Sequence, residues 1–421
     1  MASNSIHEAS AIVIGRCPEP DACRIPLPSS KSESNRALII RALCGAEAQV
    51  ENLSTARDTQ TLIRLLATEE PVADVRDAGT TMRFLTAFYA LTGQRKTLTG
   101  TTRMQERPIG ILVDALRSLG AELDYTGTPG FPPVQTLGFP GQSSREIRIR
   151  GDVSSQYISA LMMMGPMLPK GLLLRLEGRV GSRPYIAMTA ALMQHFGANV
   201  TYDGEALIEI DPKPYTGGRY SIESDWSGAS YWFSLAALSE RSEIRLLGLR
   251  RDSFQGDQII TRIMRNLGVE VHFEPSGLLL VKSGSMRSFE SDFGDCPDLA
   301  QTVAVACAGA GIPAVFKGLE SLRIKETDRT AALQREFARI GASFTNTGHE
   351  VWSLRPPAPG WDKTASPAFD TYDDHRMAMA FAPLAAKTGV IIRHPSVVRK
   401  SYPEFWDHLI QAGFRISPVD G

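Results

Sequence analysis

The sequence predicts an α/β protein of at least two domains, assembled from repeated helix–glycine–strand units. Three observations carry this. The chain has 421 residues, beyond the roughly 250–300 at which one hydrophobic core stops growing. Four segments, Ile109–Leu123, Tyr185–Val200, Gln258–Val271 and Thr330–Phe344, carry apolar residues at helical spacing and then a glycine: Gly120, Gly197, Gly268 and Gly341, spaced 71 to 77 residues apart. After each glycine comes a short alternating stretch, such as Ala198–Tyr202 or Val269–Phe273, the pattern of a half-buried strand. Glycine suits the left-handed position that ends a helix, and a fixed period marks repeated units. A period of about 70 leaves room for six copies, with Gln60–Leu66 and Pro403–Phe414 as first and last members. Helix–glycine–strand is common in α/β proteins; the even spacing favours a true repeat.

Composition narrows the function classes. Hydrophobic residues make up 43% and charged residues 22%, as in a globular protein. Forty-five basic against 46 acidic residues give a formal charge of -1, so no global field draws the chain to nucleic acid or an anionic membrane, and any anion site must be local. The five cysteines are scattered without C-x-x-C spacing, which points away from disulfides and zinc and towards a reducing cytoplasm. No apolar run approaches the roughly 20 residues of a membrane span, and Met1–Ser10 lacks a signal pattern.

The local anion sites are expected at helix starts. In Leu27–Arg36, Lys31 and Arg36 stand with serines ahead of the apolar run Ala37–Leu43, and Ser32 or Ser34 is expected to cap a helix there. A helix amino terminus offers free N–H groups and partial positive charge, which suits phosphate. The same chemistry recurs at Asp77–Arg83, Arg103–Pro108, Ser154–Gln156, Gly181–Tyr185, Arg323–Arg329 and Asp373–Arg376, each ahead of a helical stretch. One such stretch alone reads as a solvated cap; this many along a repeat suggest helix starts converging on a polyanion. Asp373, Asp374 and His375 are poor metal ligands as a set, because consecutive side chains diverge, and no metal is expected. Asp298, after Pro297, and Glu326, between Lys325 and Arg329, are carboxylates among cations, which should keep both ionised.

These stretches closely resemble the 5-enolpyruvylshikimate-3-phosphate synthase family. Those that carry the likeness are Ser30–Ser32 through Asn35–Arg36, Ala78–Arg83, Arg103–Ile109, Ser154–Gln156, Ser182–Tyr185, Pro297–Asp298, Lys325–Arg329, Asp374–Met379, and Arg399–Lys400 before Tyr402–Pro403; they run in family order over residues 30 to 403. The resemblance implies a two-domain inside-out α/β barrel, each domain of three repeated α/β units with helices inside and sheets outside. It places residues 26–224 in an N-terminal domain that mainly binds shikimate 3-phosphate. Residues 1–25 and 225–421 would form a C-terminal domain completing the phosphoenolpyruvate and catalytic site in a cleft that closes on its substrates. The implied reaction moves the enolpyruvyl group of phosphoenolpyruvate to the 5-hydroxyl of shikimate 3-phosphate and releases phosphate, without a cofactor.

Carried over residue by residue, shikimate 3-phosphate is expected on Lys31, Ser32, Arg36, Ser154, Ser155, Gln156, Ser182, Tyr185, Asp298, Ser321 and Lys325. Phosphoenolpyruvate is expected on Lys31, Gly79, Arg107, Gln156, Arg329, Arg376 and Lys400. Asp298 is the expected base for the 5-hydroxyl and Glu326 the proton donor to the methylene, with Lys31 the rival donor. The expected form is a monomer in the cytoplasm, with no nucleic-acid or membrane partner. Three positions depart from the family: Asp77 and Ser321 stand where it usually has asparagine, and Phe84 where it has proline. A carboxylate at Asp77 would repel a bound phosphate unless an arginine pairs with it. The related transferase acting on UDP-N-acetylglucosamine carries a cysteine in the loop corresponding to Leu98–Arg107, and none stands here. A binding protein that has lost turnover is the remaining alternative, against which Lys31, Asp298 and Glu326 argue.

Overall fold

Residues 6–152, 154–284, 287–363 and 366–419 are described by the computed structural model of the chain. Residues 1–5 of the segment expected in the C-terminal domain lie outside them. The chain forms two compact domains, Ser29–Ile222 and, flanking it in sequence, Met1–Pro28 with Glu223–Gly421. The first is therefore an insertion in the second, and each has its own hydrophobic core.

The inserted domain carries helices α1 (Lys31–Cys44), α2 (Arg57–Leu66), α3 (Gly79–Leu91), α4 (Gly110–Leu119), α5 (Ser155–Met164) and α6 (Arg183–His195). The flanking domain carries α7 (Trp226–Leu238), α8 (Ile260–Arg265), α9 (Ala300–Gly309), α10 (Arg329–Ala338), α11 (His375–Phe381) and α12 (Phe405–Gln411). Among the described residues there are six sheets, three to each domain. One shows the plan. Val72–Asp74, α3, Lys96–Thr99, a one-turn helix Thr102–Gln105, α4, Glu122–Tyr125 and Val134–Gly138 follow one another in the chain, and the strands lie in the order first, second, fourth, third. The first two strands are parallel and the remaining pairings antiparallel. Four other sheets repeat this order and these senses.

The observed repeat is thus strand–helix–strand–helix–glycine–strand–strand, of which the sequence pattern exposed only the second half. Gly120, Gly197, Gly268, Gly341 and Gly413 follow the second helices at φ between 76° and 105°. Three units are completed by distant chain: in the fourth, Cys23–Pro26, before the inserted domain, pairs in parallel with Glu243–Leu247 after it. In the last, the strand beside Ile416–Val419 is the N-terminal Ala11–Ile14, paired on its other edge with Val390–Arg393. In the first, Gly218–Ser221 pairs in parallel with Ala48–Glu51, and this sheet has only those two strands. The expectation of a full copy at Gln60–Leu66 is corrected accordingly: α2 ends on Ala67, with no glycine and no hairpin before the next unit.

Burial shows which layer is inside. All ten residues of α9 and all seven of α11 are buried, and in α7 all but Ser227. A helix apolar on every side must be enclosed. The strands alternate instead, as in Glu146–Arg150, where Ile147 and Ile149 point inward and the charged residues outward. Each domain is therefore an inside-out α/β barrel, with helices within and sheets towards solvent.

Glycine is required after the second helices for two separable reasons. Gly268 and Gly341 share φ 76°, but a Cβ on Gly268 would lie 1.7 Å from the Gly284 carbonyl oxygen, whereas one on Gly341 meets nothing within 4 Å. Gly341→Ala should therefore cost only the left-handed backbone, about 1–2 kcal/mol. Gly268→Ala should cost clearly more, because backbone must also move. Urea-unfolding midpoints of the two variants check this; equal losses would show that the close approach to Gly284 carries no energy.

Candidate active site

In the inserted domain the predicted residues gather at helix starts. Ser30 caps α1, its hydroxyl accepting from the Glu33 N–H, so Lys31 is the first helical residue. This corrects the expectation that Ser32 or Ser34 caps: the Ser34 hydroxyl accepts from the Ser54 N–H. Lys31 Nζ donates to Asp58 Oδ2 at 3.1 Å, and Asp58, at the start of α2, is 2% exposed with its Oδ1 buried and unbonded. Arg36 is also 2% exposed; it donates to Thr189 Oγ1 at 2.7 Å, Ser32 O at 2.9 Å and Ser159 Oγ at 3.0 Å. Its guanidinium faces the rings of Phe84 and Tyr185 at 5.4 and 5.7 Å. Burial lowers its pKa to about 10 against the opposing fields of Tyr185 and Glu33, so it stays charged at neutral pH.

Gly79 opens α3 beneath two guanidiniums. A Cβ there would lie 2.6 Å from Arg107 Nη1 and 2.8 Å from Arg83 Nη1, so no larger residue fits without displacing them. Arg83 donates to the Gly79 carbonyl at 2.9 Å, and Arg107 Nε is buried and unbonded. Two cations over a helix amino terminus make an anion site. Gln156, in the first turn of α5, donates to Thr80 Oγ1 at 3.1 Å, and Ser154 caps that helix ahead of the buried Ser155. Ser182 holds φ 55° just before α6, whose first turn carries Tyr185. Asp77 is paired: its Oδ2 lies 2.8 Å from Arg57 Nη2, which offsets the repulsion its charge would exert on a phosphate.

In the flanking domain the remaining charged residues form one network around Arg329, which is 1% exposed. Arg329 Nε donates to Asp374 Oδ2 at 2.7 Å, Nη1 to Asp298 Oδ1 at 3.0 Å and Nη2 to Glu326 Oε2 at 2.9 Å. Arg376 Nη2 donates to Asp298 Oδ2 at 2.9 Å, and its Nη1 to Ser227 Oγ at 2.5 Å and Tyr231 OH at 3.3 Å. Lys325 Nζ lies 3.7 Å from Asp298 Oδ1, and Lys400 Nζ 3.5 Å from Glu326 Oε1. Asp374 also caps α11, accepting from the Arg376 N–H at 2.9 Å. Ser321 is half-buried in a short helical turn, Glu320–Ile324, before Lys325.

Three carboxylates, Asp298, Glu326 and Asp374, thus meet four cations, Lys325, Arg329, Arg376 and Lys400, leaving one net positive charge. Burial alone would raise the Asp298 pKa, but Arg376, Lys325 and Arg329 outweigh it and hold the carboxyl well below the usual range. Burial pushes the Lys325 ammonium down, with Arg329 and Arg376 adding to the shift and Asp298 and Glu326 opposing it. Arg329 moves upward: burial opposes its charge, and Asp374, Glu326 and Asp298 overcome that.

Three participants, Asp58, Ser227 and Tyr231, were not among the residues expected from the sequence and reach the predicted ones from neighbouring helices. Arg83 and Asp374 lay in stretches expected to bind an anion but had no role of their own, and Asp374 was also weighed as a metal ligand. The structure gives Asp374 to Arg329 and to a helix cap instead. The available signal was position, since Asp58, Ser227 and Asp374 fall in first turns of helices or at a cap, where the expected residues also lie, whereas Arg83 and Tyr231 stand a turn further in.

A sequence model of the EPSP synthase (3-phosphoshikimate 1-carboxyvinyltransferase) family matches residues 63–409. A 3-phosphoshikimate 1-carboxyvinyltransferase of Bacteroides fragilis is 47% identical over 399 residues, covering 93% of this chain and 95% of its own. One from Janthinobacterium sp. (strain Marseille) is 34% identical over 419 residues, covering 91% and 93%. The solved EPSP synthase of Acinetobacter baumannii is similar with a TM-score of 0.79 at 19% identity, covering 97% of this chain and 99% of that one, a likeness of fold.

The depressed Asp298 carboxyl sets a pH dependence. A carboxyl lowered on folding stabilises the fold above its unfolded pKa, about 3.9, and that contribution is lost as pH falls through the folded value. At pH 7, Asp298→Asn should cost about 3 kcal/mol, the order found on breaking a buried ion pair. The gap to wild type should stay constant down to about pH 4 and narrow below it. Urea unfolding from pH 7 to pH 3 measures this; a gap that does not narrow in acid means that the carboxylate is not held by its cations.

Proposed function

We propose, from the premise that this chain belongs to the EPSP synthase family, that its two helix-start clusters serve one reaction on one pair of substrates. The carboxyvinyl group of phosphoenolpyruvate passes to the 5-hydroxyl of shikimate 3-phosphate, giving 5-enolpyruvylshikimate 3-phosphate and phosphate, a step of aromatic amino-acid biosynthesis. The observation that carries the assignment of residues is the Arg329 network, which keeps carboxylates and cations together and one positive charge in excess.

In this reading shikimate 3-phosphate is held by Lys31, Ser32, Arg36, Ser154, Ser155, Gln156, Ser182 and Tyr185, with Asp298, Ser321 and Lys325. Arg36 has three of its five N–H groups engaged within the domain, so it also fixes the pocket wall. Phosphoenolpyruvate is held by Gly79, Arg107, Arg329, Arg376 and Lys400, with Lys31 and Gln156. Planar guanidiniums match its carboxylate and phosphate in pairs of hydrogen bonds.

Protonation of the methylene carbon leaves cationic character on the adjacent carbon. The 5-hydroxyl attacks that carbon as its proton leaves to a base. The tetrahedral intermediate then breaks the carbon–oxygen bond to phosphate and loses a methyl proton, restoring the double bond. Asp298 is the proposed base, and Glu326 or Lys31 the proton donor. With Arg329 and Arg376 bound to it, Asp298 accepts a proton poorly. An anionic substrate that draws on those guanidiniums weakens their hold on Asp298, so basicity rises when the substrate is in place.

Phosphate release from phosphoenolpyruvate tests this. Wild type should turn over with shikimate 3-phosphate and not with UDP-N-acetylglucosamine, and Asp298→Ala should lower kcat by at least about 100-fold, the scale of general acid–base catalysis. Normal turnover by Asp298→Ala would exclude it as the base, and turnover with the sugar nucleotide would exclude the proposed acceptor.

A further inference from the structure

Resting on the reading that Arg329 and Arg376 hold phosphoenolpyruvate, we propose that Glu336 is a positioning residue for that site, clasping the turn Thr371–Asp374 in a strained form. The Asp374 N–H donates to the Thr371 carbonyl at 2.9 Å, closing a four-residue turn. Its central residues, Tyr372 and Asp373, lie at φ 53° and 54°. Turns with two consecutive positive φ values favour glycine, asparagine and aspartate, because a left-handed residue with a side chain is strained. An aromatic residue at the first of these positions therefore needs something to hold it. The turn delivers the chain directly to Asp374, the cap of α11 and the partner of Arg329, and then to Arg376.

Glu336 supplies the hold. It lies on α10 seven residues after Arg329, two turns along the same face, and is 0% exposed. Its Oε1 accepts from Tyr372 OH at 2.6 Å, and its Oε2 from the Asp370 N–H at 3.0 Å and from Arg339 Nε at 2.8 Å. One carboxylate thus grips the chain on both sides of Thr371. Asp370 is fixed further by Arg339 Nη2 at 2.7 Å and Arg393 Nη1 at 3.2 Å. Helix α10 accordingly holds segment 370–376 at two points, through Arg329 at its start and Glu336 deeper in. A buried carboxylate is costly unless its bonds are made, and an apolar residue would fill the same space without that cost. The turn gives the carboxylate a purpose. Burial, then the hydrogen bond to Glu336, pushes the Tyr372 phenol up to about 12, so it stays a donor throughout the neutral range.

The test uses Glu336→Gln and Tyr372→Phe, each with and without Asp373→Gly, in the full chain. Steady-state constants for both substrates and thermal unfolding are measured beside wild type. The KM for phosphoenolpyruvate should rise about tenfold in both single variants, with the KM for shikimate 3-phosphate within about twofold, since only the first substrate loses its placed arginines. Adding Asp373→Gly, which takes up the left-handed backbone at little cost, should recover most of the phosphoenolpyruvate KM without restoring thermal stability. Equal changes in both KM values, lost stability with unchanged KM, or no recovery with glycine would each overturn the clasp. If Glu336→Gln does not fold, Tyr372→Phe, which removes one oxygen atom, decides. A wild type without turnover overturns the functional reading itself, an outcome distinct from an active wild type with indifferent variants.

Discussion

Arg329 is 1% exposed to solvent, and three carboxylates from separate places in the chain meet its guanidinium. Asp298 stands just before α9, Glu326 just before α10, and Asp374 caps α11. Without the guanidinium Asp374 would be a poorly compensated buried charge, whereas Asp298 keeps Arg376 and Lys325 and Glu326 keeps Lys400; through Arg329 the starts of three helices are tied by one side chain. The same tie gathers charge: among these ion pairs, Arg376, Lys325 and Lys400 bring the cations to one more than the carboxylates.

The inserted domain handles its cations differently. Arg36 is met by hydroxyls, a carbonyl and aromatic faces, and Arg83 and Arg107 crowd a glycine at a helix start. Carboxylates still appear, at Asp58 against Lys31 and Asp77 against Arg57. In both domains many of the side chains that touch come from caps and first turns of helices, such as Lys31, Asp58, Gln156, Ser227 and Asp374, because the repeated unit offers those positions again and again; Arg36, Arg83 and Tyr231 join them from a turn further in. A repeat of strands and helices thereby becomes a repeat of amino termini, each with unbonded N–H groups to present.

Legibility in the sequence had physical causes at particular residues. Gly120, Gly197, Gly268, Gly341 and Gly413 could be read because a left-handed position at a helix end demands them. The first helix of each unit was harder, since α7, α9 and α11 are buried on nearly all sides and show no one-sided period. The first strands are short, down to the two residues Ala368–Phe369, too few for an alternation to register. The pairing of Ala11–Ile14 with the last unit, and the two-stranded first sheet, depend on chain 170 or more residues away. At the site, Lys31, Asp298, Glu326 and the arginines stood out as charge at helix starts. Asp58 did not, because its distinguishing feature is Lys31 on another helix. Glu336 was hidden more deeply, inside a helix whose charged start carries the visible motif.

The claim that Arg329 binds these helix starts together is tested most directly by a double-mutant cycle between Arg329→Met and Asp374→Asn, read by urea unfolding at pH 7. The account predicts strong coupling, of the order of 3 kcal/mol, because each single change strands the other's buried charge and the second change relieves it. Costs that add to within about 0.5 kcal/mol would mean that the two groups do not depend on each other, and would contradict it.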